Sequence, residues 1–407
     1  MPGHTLIDLE EARAAVLEEA APLGSEAVAL ESTLGRRLAG TVHSPEPVPG
    51  FDNSAMDGFA IRSADTSGAG PDRPVLLDLT GESRAGHPAG AGVEPGGAIA
   101  ISTGAVMPAG ADSVVRVEDT VREGDQVGIR VEVPPDRNVR RAGEDIAAGS
   151  EVIVSGTRIG PAEQGVLASV GAARVSCHLR PRVAVVSSGD ELIRPGEPMR
   201  QGAVRNSNSF SISALARESG AEVISSELAP DRPEATRAAI EAALSADLVV
   251  VCGGVSVGEH DHVKAALADL GVEQKFWRIA LKPGKPTWFG TGSDALVFGL
   301  PGNPVSAMVT FLLLVQPALV ALAGGRPERR RVTARLAEDR ARTPGRTEAV
   351  RCRIEAGEDG WVAIPTGPQG SHILTSMLEA DGLALLPPGD GIAEAGETVP
   401  VELIGHG

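Results

Sequence analysis

The chain has 407 residues, a formal net charge of −17 and 2% aromatic residues with no Tyr. That charge excludes nucleic acid and anionic membrane as default partners, because both require a basic footprint. The length predicts more than one domain, and Gly 50 with Pro 30, spread without low-complexity runs, predicts many turns and much β-structure.

Met1–Glu10 has no basic stretch followed by an apolar one, so no signal peptide is expected there. Asp8–Ala21 reads as a helix, with Asp8 as N-cap and Leu9, Ala12, Val16 and Leu17 on one face. Pro45, Pro47 and Pro49 then break the chain. From Phe51 to Val133, short apolar runs (Val75–Leu79, Ala98–Ser102, Val114–Val117, Val127–Val133) alternate with Gly, Pro and Asp, which predicts a β-rich module. A short helix is expected at Pro161–Val170. The three cysteines, Cys177, Cys252 and Cys352, are far apart and odd in number, which predicts a reducing compartment with neither a disulfide framework nor a zinc site.

Arg182–Gly324 alternates strand and helix. Strands are expected at Val183–Ser187, Glu222–Ser226, Leu248–Cys252 and Ala295–Gly299. Helices are expected at Asn208–Ser219, Pro233–Leu244, His262–Leu270 and Val305–Ala323. This pattern predicts a parallel sheet covered on both faces, with a ligand at the carboxyl ends of its strands. Val305–Ala323 is near membrane length, but an Asn303-Pro304 turn opens it and Gln316-Pro317 interrupts it, so it reads as a buried helix. Residues 331–407 read as a small β-module.

All four lysines lie between Lys264 and Lys285, while the remaining basic residues are arginines. Lys282-Pro283-Gly284-Lys285-Pro286 therefore stands out as an anion site, because Lys is a compact point charge where Arg is a planar fork. Lys264 and Lys275 read as surface residues without an assigned role.

Three strand ends carry further chemistry. Leu248–Cys252 runs into Gly253-Gly254-Val255-Ser256-Val257-Gly258, whose glycines let backbone N–H groups approach a phosphate or simply make a tight turn. His260 and His262 would point apart, which argues against a transition metal. Asp261 suits Mg²⁺ beside a phosphate. Ser187–Leu192 carries Asp190 and Glu191. Asp231 is either an active carboxylate or the N-cap of the helix after it. Leu300–Ser306, containing Pro301, opens the long helix, and a helix N-terminus binds oxyanions. Phe51–Ala60, Ser102–Ala105 and Arg140–Asp145 hold more Asp, Thr and Arg than turns require.

Phe51–Ala60, Thr103-Gly104-Ala105, Gly143-Glu144-Asp145, Gly189–Leu192, Gly253–Gly258, Lys282–Pro286 and Gly299–Ser306 occur together in one order that resembles the molybdopterin molybdenumtransferase family, the bacterial MoeA proteins and the gephyrin E domain. The resemblance spans nearly the whole chain. It implies a multidomain α/β plus β fold with a doubly wound βαβ domain of the molybdopterin-binding type at 179–326. It also implies a discontinuous N-terminal mixed domain (1–45 and 140–178), an inserted β-rich domain (46–139) and a C-terminal β-barrel (331–407). The implied activity is insertion of molybdate into adenylylated molybdopterin, releasing AMP and molybdenum cofactor, with Mg²⁺. A cytoplasmic location is implied, and so is a homodimer with a composite active site. Molybdopterin adenylyltransferase and molybdoenzyme acceptors are the implied partners.

By the same resemblance, Asp57, Thr103 and Asp145 belong to the face supplied by the partner subunit, and Asp57 and Asp261 are metal ligands. Glu191, Asp231 and Asp261 are the acids around the pterin nucleotide, bound by Gly253, Gly254, Ser256 and Pro301. Lys282, Lys285, Pro286 and Ser306 line the molybdate pocket, joined by Arg351 and Ser371 from the C-terminal module. Arg278 stands where Lys is common in the family, Phe59 where Tyr is, and Glu259 where Asp often is. The alternatives are the adenylyltransferase that makes the substrate, which shares the βαβ domain and a similar Gly-Gly-Val-Ser-Val-Gly loop, and a non-catalytic pterin-binding scaffold.

Overall fold

A computed structural model describes residues 6–255, 262–292, 294–327 and 330–404. The predicted metal ligand Asp261 and the predicted substrate-binding Ser256 lie outside them. Helix α1 (Leu9–Glu19) begins at Asp8, whose carboxylate accepts the Glu10 N–H at 2.8 Å. Its apolar stripe, Leu9, Ala12 and Val16, packs into the main core of the βαβ domain. The mixed module pairs Ser25–Ala29 with Arg174–His178 and carries α2 (Pro161–Ser169), with Pro161 in its first turn.

The β-rich module is a six-stranded sheet of β1 (Gly58–Ile61), β2 (Val75–Ser83), β3 (Gly97–Ile101), β4 (Ser113–Arg116), β5 (Thr120–Glu123) and β6 (Gln126–Ile129). Their order is β4-β1-β3-β2-β6-β5, and only β2–β3 is parallel. The predicted run Val127–Val133 leaves the sheet at Ile129, although Val131 and Val133 still pack on its core. Phe51–Ala60 is a short strand at Asn53–Ser54, a turn, and the start of β1.

The βαβ domain is built on β7 (Arg182–Ser188), β8 (Glu222–Ala229), β9 (Leu248–Cys252), β10 (Glu273–Trp277), β11 (Trp288–Gly292) and β12 (Ala295–Leu300). Its order is β8-β7-β9-β12-β11-β10. The first four strands are parallel as expected, but β11 and β10 extend the sheet antiparallel, so it is mixed rather than wholly parallel. The crossover helices are α3 (Asn208–Glu218), α4 (Pro233–Ala243) and α5 (His262–Asp269), and α6 (Pro304–Leu322) follows the last strand. Both faces are covered: Val183, Val185, Leu248 and Val250 meet one core, and Ala184, Val186, Val249 and Val251 meet the other.

Helix α6 is long and apolar enough to cross a membrane, yet 78% of that window is buried inside the fold. Its ladder widens to a π turn over Phe311–Val315. Pro317 explains the break. It has no N–H to give the Leu313 carbonyl four residues earlier, and Arg13 Nε donates to that carbonyl instead at 3.2 Å. Arg13 also pairs with Glu402 at 2.9 Å, and Arg331 reaches the same buried carboxylate at 2.8 Å, tying α1, α6 and the last strand together.

The C-terminal module is β13 (Arg331–Leu336), β14 (Thr347–Gly357), β15 (Gly360–Pro365), β16 (Gly382–Leu386) and β17 (Thr398–Leu403). The pairings β14–β15–β13–β17–β16 return to β14, closing a five-stranded barrel without edges. Leu281–Lys282 adds to β14 in parallel and docks the barrel on the βαβ domain.

Candidate active site

The chain leaves β7 for α3 and β8 on one side, then returns to β9 on the other. Loops after β7 and β9 therefore diverge and open a crevice, the usual ligand position in such sheets. Gly253 (φ 90°) and Gly254 (φ 63°) line it. A Cβ on Gly253 would lie 2.8 Å from the Ser188 carbonyl oxygen, and one on Gly254 2.5 Å from Val263 Cγ2, so only glycine fits. Trp277 Nε1 donates to the Val255 carbonyl at 3.1 Å. The Trp277 ring carries Lys264 Nζ 4.0 Å and Arg278 Cζ 4.2 Å from its centroid. Lys264 is thus part of this support, not the plain surface residue expected. Lys275 pairs with Glu19 at 2.9 Å and Glu273 at 3.3 Å, away from the crevice.

Asn208, the first residue of α3, donates from Nδ2 to the Gly302 carbonyl at 2.8 Å and so bridges to the loop after β12. Asn208 Oδ1 and Ser188 Oγ are buried without hydrogen-bond partners. Buried polar atoms are nearly always paired, so two orphans at one strand end mark a place built for a ligand. Beside them, Asp190 Oδ1 accepts the Asp231 N–H at 3.0 Å. Glu191 folds back over Gly189, where a Cβ would sit 2.7 Å from its Oε2. Asp190, Glu191 and Asp231 are therefore gathered at the ends of β7 and β8. Asp231 does not cap α4: Arg232 occupies the N-cap and makes no side-chain cap bond.

The lysine loop, the head of α6 and barrel strand β14 come together next to the crevice, and the surface they share is termed the recess. A Cβ on Gly284 would lie 2.5 Å from Thr310 Cγ2, and Thr310 Oγ1 donates to the carbonyl of buried Ser306 at 2.7 Å. Asn303 Nδ2 donates to Ser371 Oγ at 3.1 Å, and the Val305 N–H donates to the Ser371 carbonyl at 3.2 Å. Pro301, which follows β12, is buried. Arg351, 1% exposed, donates from Nε to Ser376 Oγ at 3.1 Å and from Nη2 to the Gly370 carbonyl at 3.2 Å. No carboxylate lies in ion-pair range of its guanidinium among the described residues, and burial lowers its pKa from 12.5 to about 10. Lys282 Nζ pairs with Glu348 Oε2 at 3.1 Å and donates to Thr343 Oγ1 at 3.2 Å. Lys285 is exposed and has no ion-pair partner among the described residues, and Pro286 is half-buried beside it.

Asp57, Thr103 and Asp145 stand apart, on the β-rich module and its hinge. Asp57 Oδ1 accepts the Thr103 N–H at 2.8 Å, and Asp145 is exposed with its N–H bound to the Val48 carbonyl at 3.1 Å. Among the described residues no hydrogen bond or ion pair joins residues 46–139 to the βαβ domain. No group of three or more His, Cys, Asp and Glu with metal-binding proximity occurs among them either.

Glu348, Thr343, Asn208 and Trp277 were not singled out by the sequence, and Ser188 appeared there only as part of the Ser187–Leu192 strand end. The Asn206-Ser207-Asn208-Ser209 run at a helix start was the one signal present for any of them.

Three family models match in succession: the MoeA N-terminal region (domain I and II) over residues 7–171, the "Probable molybdopterin binding domain" over 184–321 and the MoeA C-terminal region (domain IV) over 333–404. A molybdopterin molybdenumtransferase of Haemophilus influenzae is 37% identical, covering 98% of this chain and 99% of its own. That of Bacillus subtilis is 34% identical, covering 93% of this chain and 90% of its own. A crystal structure of the molybdopterin biosynthesis MoeA protein of Pyrococcus horikoshii superposes with a TM-score of 0.85 at 30% identity, covering 98% of this chain and 100% of that one. With three successive matches, relatives aligned end to end and a shared architecture, this chain belongs to the molybdopterin molybdenumtransferase (MoeA) family.

Proposed function

We propose that this protein is a molybdopterin molybdenumtransferase, inserting molybdate into adenylylated molybdopterin and releasing AMP. The observation that carries this is the buried Arg351 guanidinium, which has no carboxylate in ion-pair range among the described residues, feels Glu348 only at longer range, and donates to the carbonyl of Gly370, the residue before Ser371. In a chain of net charge −17, such a group calls for an oxyanion. The pterin nucleotide occupies the crevice, with its phosphates over Gly253-Gly254 and Ser256 and its polar edge on the orphaned Ser188 and Asn208 atoms. Molybdate sits in the adjoining recess against Arg351, Lys285, Ser306 and Ser371. Lys282 and Pro286 shape that recess, and Glu348 holds Lys282 in place. Water attacks the adenylyl phosphoanhydride and AMP leaves; the two dithiol sulfurs then bind molybdenum while their two protons pass to one molybdate oxygen, which departs as water with no change of oxidation state. Donors held rigidly in a partly desolvated recess stabilise that charge more than water does.

The clustered acids are hard oxygen donors, a set that suits Mg²⁺. Asp261 and, from a second copy of the chain, Asp57 would hold the ion beside Asp231 and Glu191, offsetting phosphate charge as the anhydride breaks. Asp57, Thr103 and Asp145 complete the site from a second copy of the chain. Supporting this homodimer, Asp57 and Thr103 lie on a module with no hydrogen bond or ion pair to the βαβ domain of their own protomer among the described residues, and Asp145 lies at its hinge. The expected setting is the cytoplasm, with the adenylyltransferase supplying substrate and molybdoenzymes taking product.

Purified protein, adenylylated molybdopterin and molybdate should together release AMP. ATP consumption without molybdate would favour the adenylyltransferase instead, and no AMP under any condition would favour a scaffold. Mixing inactive Asp57→Ala with inactive Lys285→Ala should restore activity through heterodimers. No restoration would rule out the composite site.

A further inference from the structure

At the opposite end of the βαβ sheet from the crevice, a cleft of about 320 Å³ opens between the mixed module, the C-terminal half of α6 and the barrel. Arginines Arg36, Arg37, Arg158, Arg180 and Arg330 line it with His178, against one acid among the described residues, Glu218. Arg36 is committed to Glu26 and to the His178 carbonyl. Arg37, Arg158 and Arg180 have no carboxylate partner among the described residues. Arg37 Nη1 makes only a 3.2 Å bond to the Gly156 carbonyl.

Arg37 and Arg158 are also antiparallel bridge partners, so two guanidinium side chains leave directly opposed positions. Like charges so placed repel. Burial first, and then Arg158, lowers the Arg37 pKa. The chain makes room for this. A Cβ on Gly325 would lie 2.5 Å from Arg37 Cζ, and one on Gly324 2.2 Å from the His178 ring. A fold with an acidic excess of 17 in which Arg37, Arg158 and Arg180 have no carboxylate partner among the described residues has built a positive cleft, and its Leu179, Pro317 and Val320 wall is apolar. We propose that the cleft binds a phosphate monoester of nucleotide size or smaller. The guanidinium forks of Arg37 and Arg158 grip the phosphate, and the apolar wall takes the organic part. The cleft is bounded by three modules, so an occupant holds them together and makes the fold sensitive to a metabolite.

The test is titration calorimetry with inorganic phosphate and, separately, AMP. Wild type should bind AMP at two sites per chain, crevice and cleft. Arg37→Gln/Arg158→Gln should lose one of them, or weaken it at least about tenfold, one charge-assisted bond being worth that much. Molybdate-dependent AMP release should persist in this variant. Removing the like-charge pair should leave its thermal midpoint, without ligand, unchanged or higher, and Arg158→Gln alone provides the same test with one exposed change. Phosphate binding as tight as AMP means the phosphate alone is read, and tighter AMP means the wall contributes. One AMP site in wild type, or two undiminished sites in the double variant, would overturn the proposal.

Discussion

Arg351→Met separates ligand binding from folding. Lowering the guanidinium pKa from 12.5 to about 10 amounts to roughly 3 kcal/mol disfavouring its charged form in the fold. The sign follows from the direction: the folded pKa is depressed for a basic group. The penalty is therefore complete at pH values below about 10 and is relieved only as the pH rises through that value towards 12.5. Met removes the charge, keeps an apolar stem of similar length and loses two hydrogen bonds, to Ser376 Oγ and the Gly370 carbonyl. At about 1 kcal/mol each these nearly offset the relief, so the variant should be as stable as wild type or about 1 kcal/mol more so. It should nevertheless lose the rise in thermal midpoint that molybdate gives wild type, together with molybdate-dependent AMP release. Calorimetric melts with and without molybdate read both quantities. An unliganded variant destabilised by more than about 2 kcal/mol would make Arg351 a structural residue, and wild-type turnover would remove it from the anion site.

Lys285→Ala should abolish molybdate-dependent AMP release with no change in thermal midpoint, because its ammonium is exposed. Lys282→Ala should lose activity and also about 1–3 kcal/mol of stability, because Glu348, 5% exposed, is left with Thr343 as its side-chain hydrogen-bond partner among the described residues and Arg351 only as a more distant charge; equal midpoints for the two variants would contradict the pairing. Gly254→Ala forces a side chain into a left-handed backbone 2.5 Å from Val263, so pterin-nucleotide affinity should fall at least tenfold, with part of it returning in Gly254→Ala/Val263→Ala. Burial pushes the thiols of Cys252 and Cys352 up to about 12, so neither should react with iodoacetamide in the native protein at pH 8; rapid labelling of either would contradict that burial.

What was legible in the sequence is what is local. Asp8 announces α1 through its own cap bond, and Leu248–Cys252 announces a central strand because all five residues are apolar. The strand-end glycines and the lysine loop were likewise visible as short motifs. Strand β10 escaped notice because an edge strand can afford Glu273, Gln274 and Lys275, which erase the apolar signal. The partners of the site residues were hidden by distance along the chain. Glu348 meets Lys282 across 66 residues and Asn208 meets Gly302 across 94, and no pattern within one segment predicts such meetings. Pro317 read as an interruption of a helix, but its consequence depends on Arg13, three hundred residues away.

The π turn at Phe311–Val315 makes helix length a matter of phase. Each helical residue advances the side-chain direction by about 100°, so the turn sets the angle between the two ends of α6. Ser306 is buried in the first turn at one end, and Pro317 and Val320 line the arginine cleft at the other. Deleting one residue within the turn would restore a regular ladder, yet it would swing one end by that angle and carry its side chains off target. Insertions and deletions should therefore be rarer at this buried turn than its loose hydrogen bonding alone would suggest.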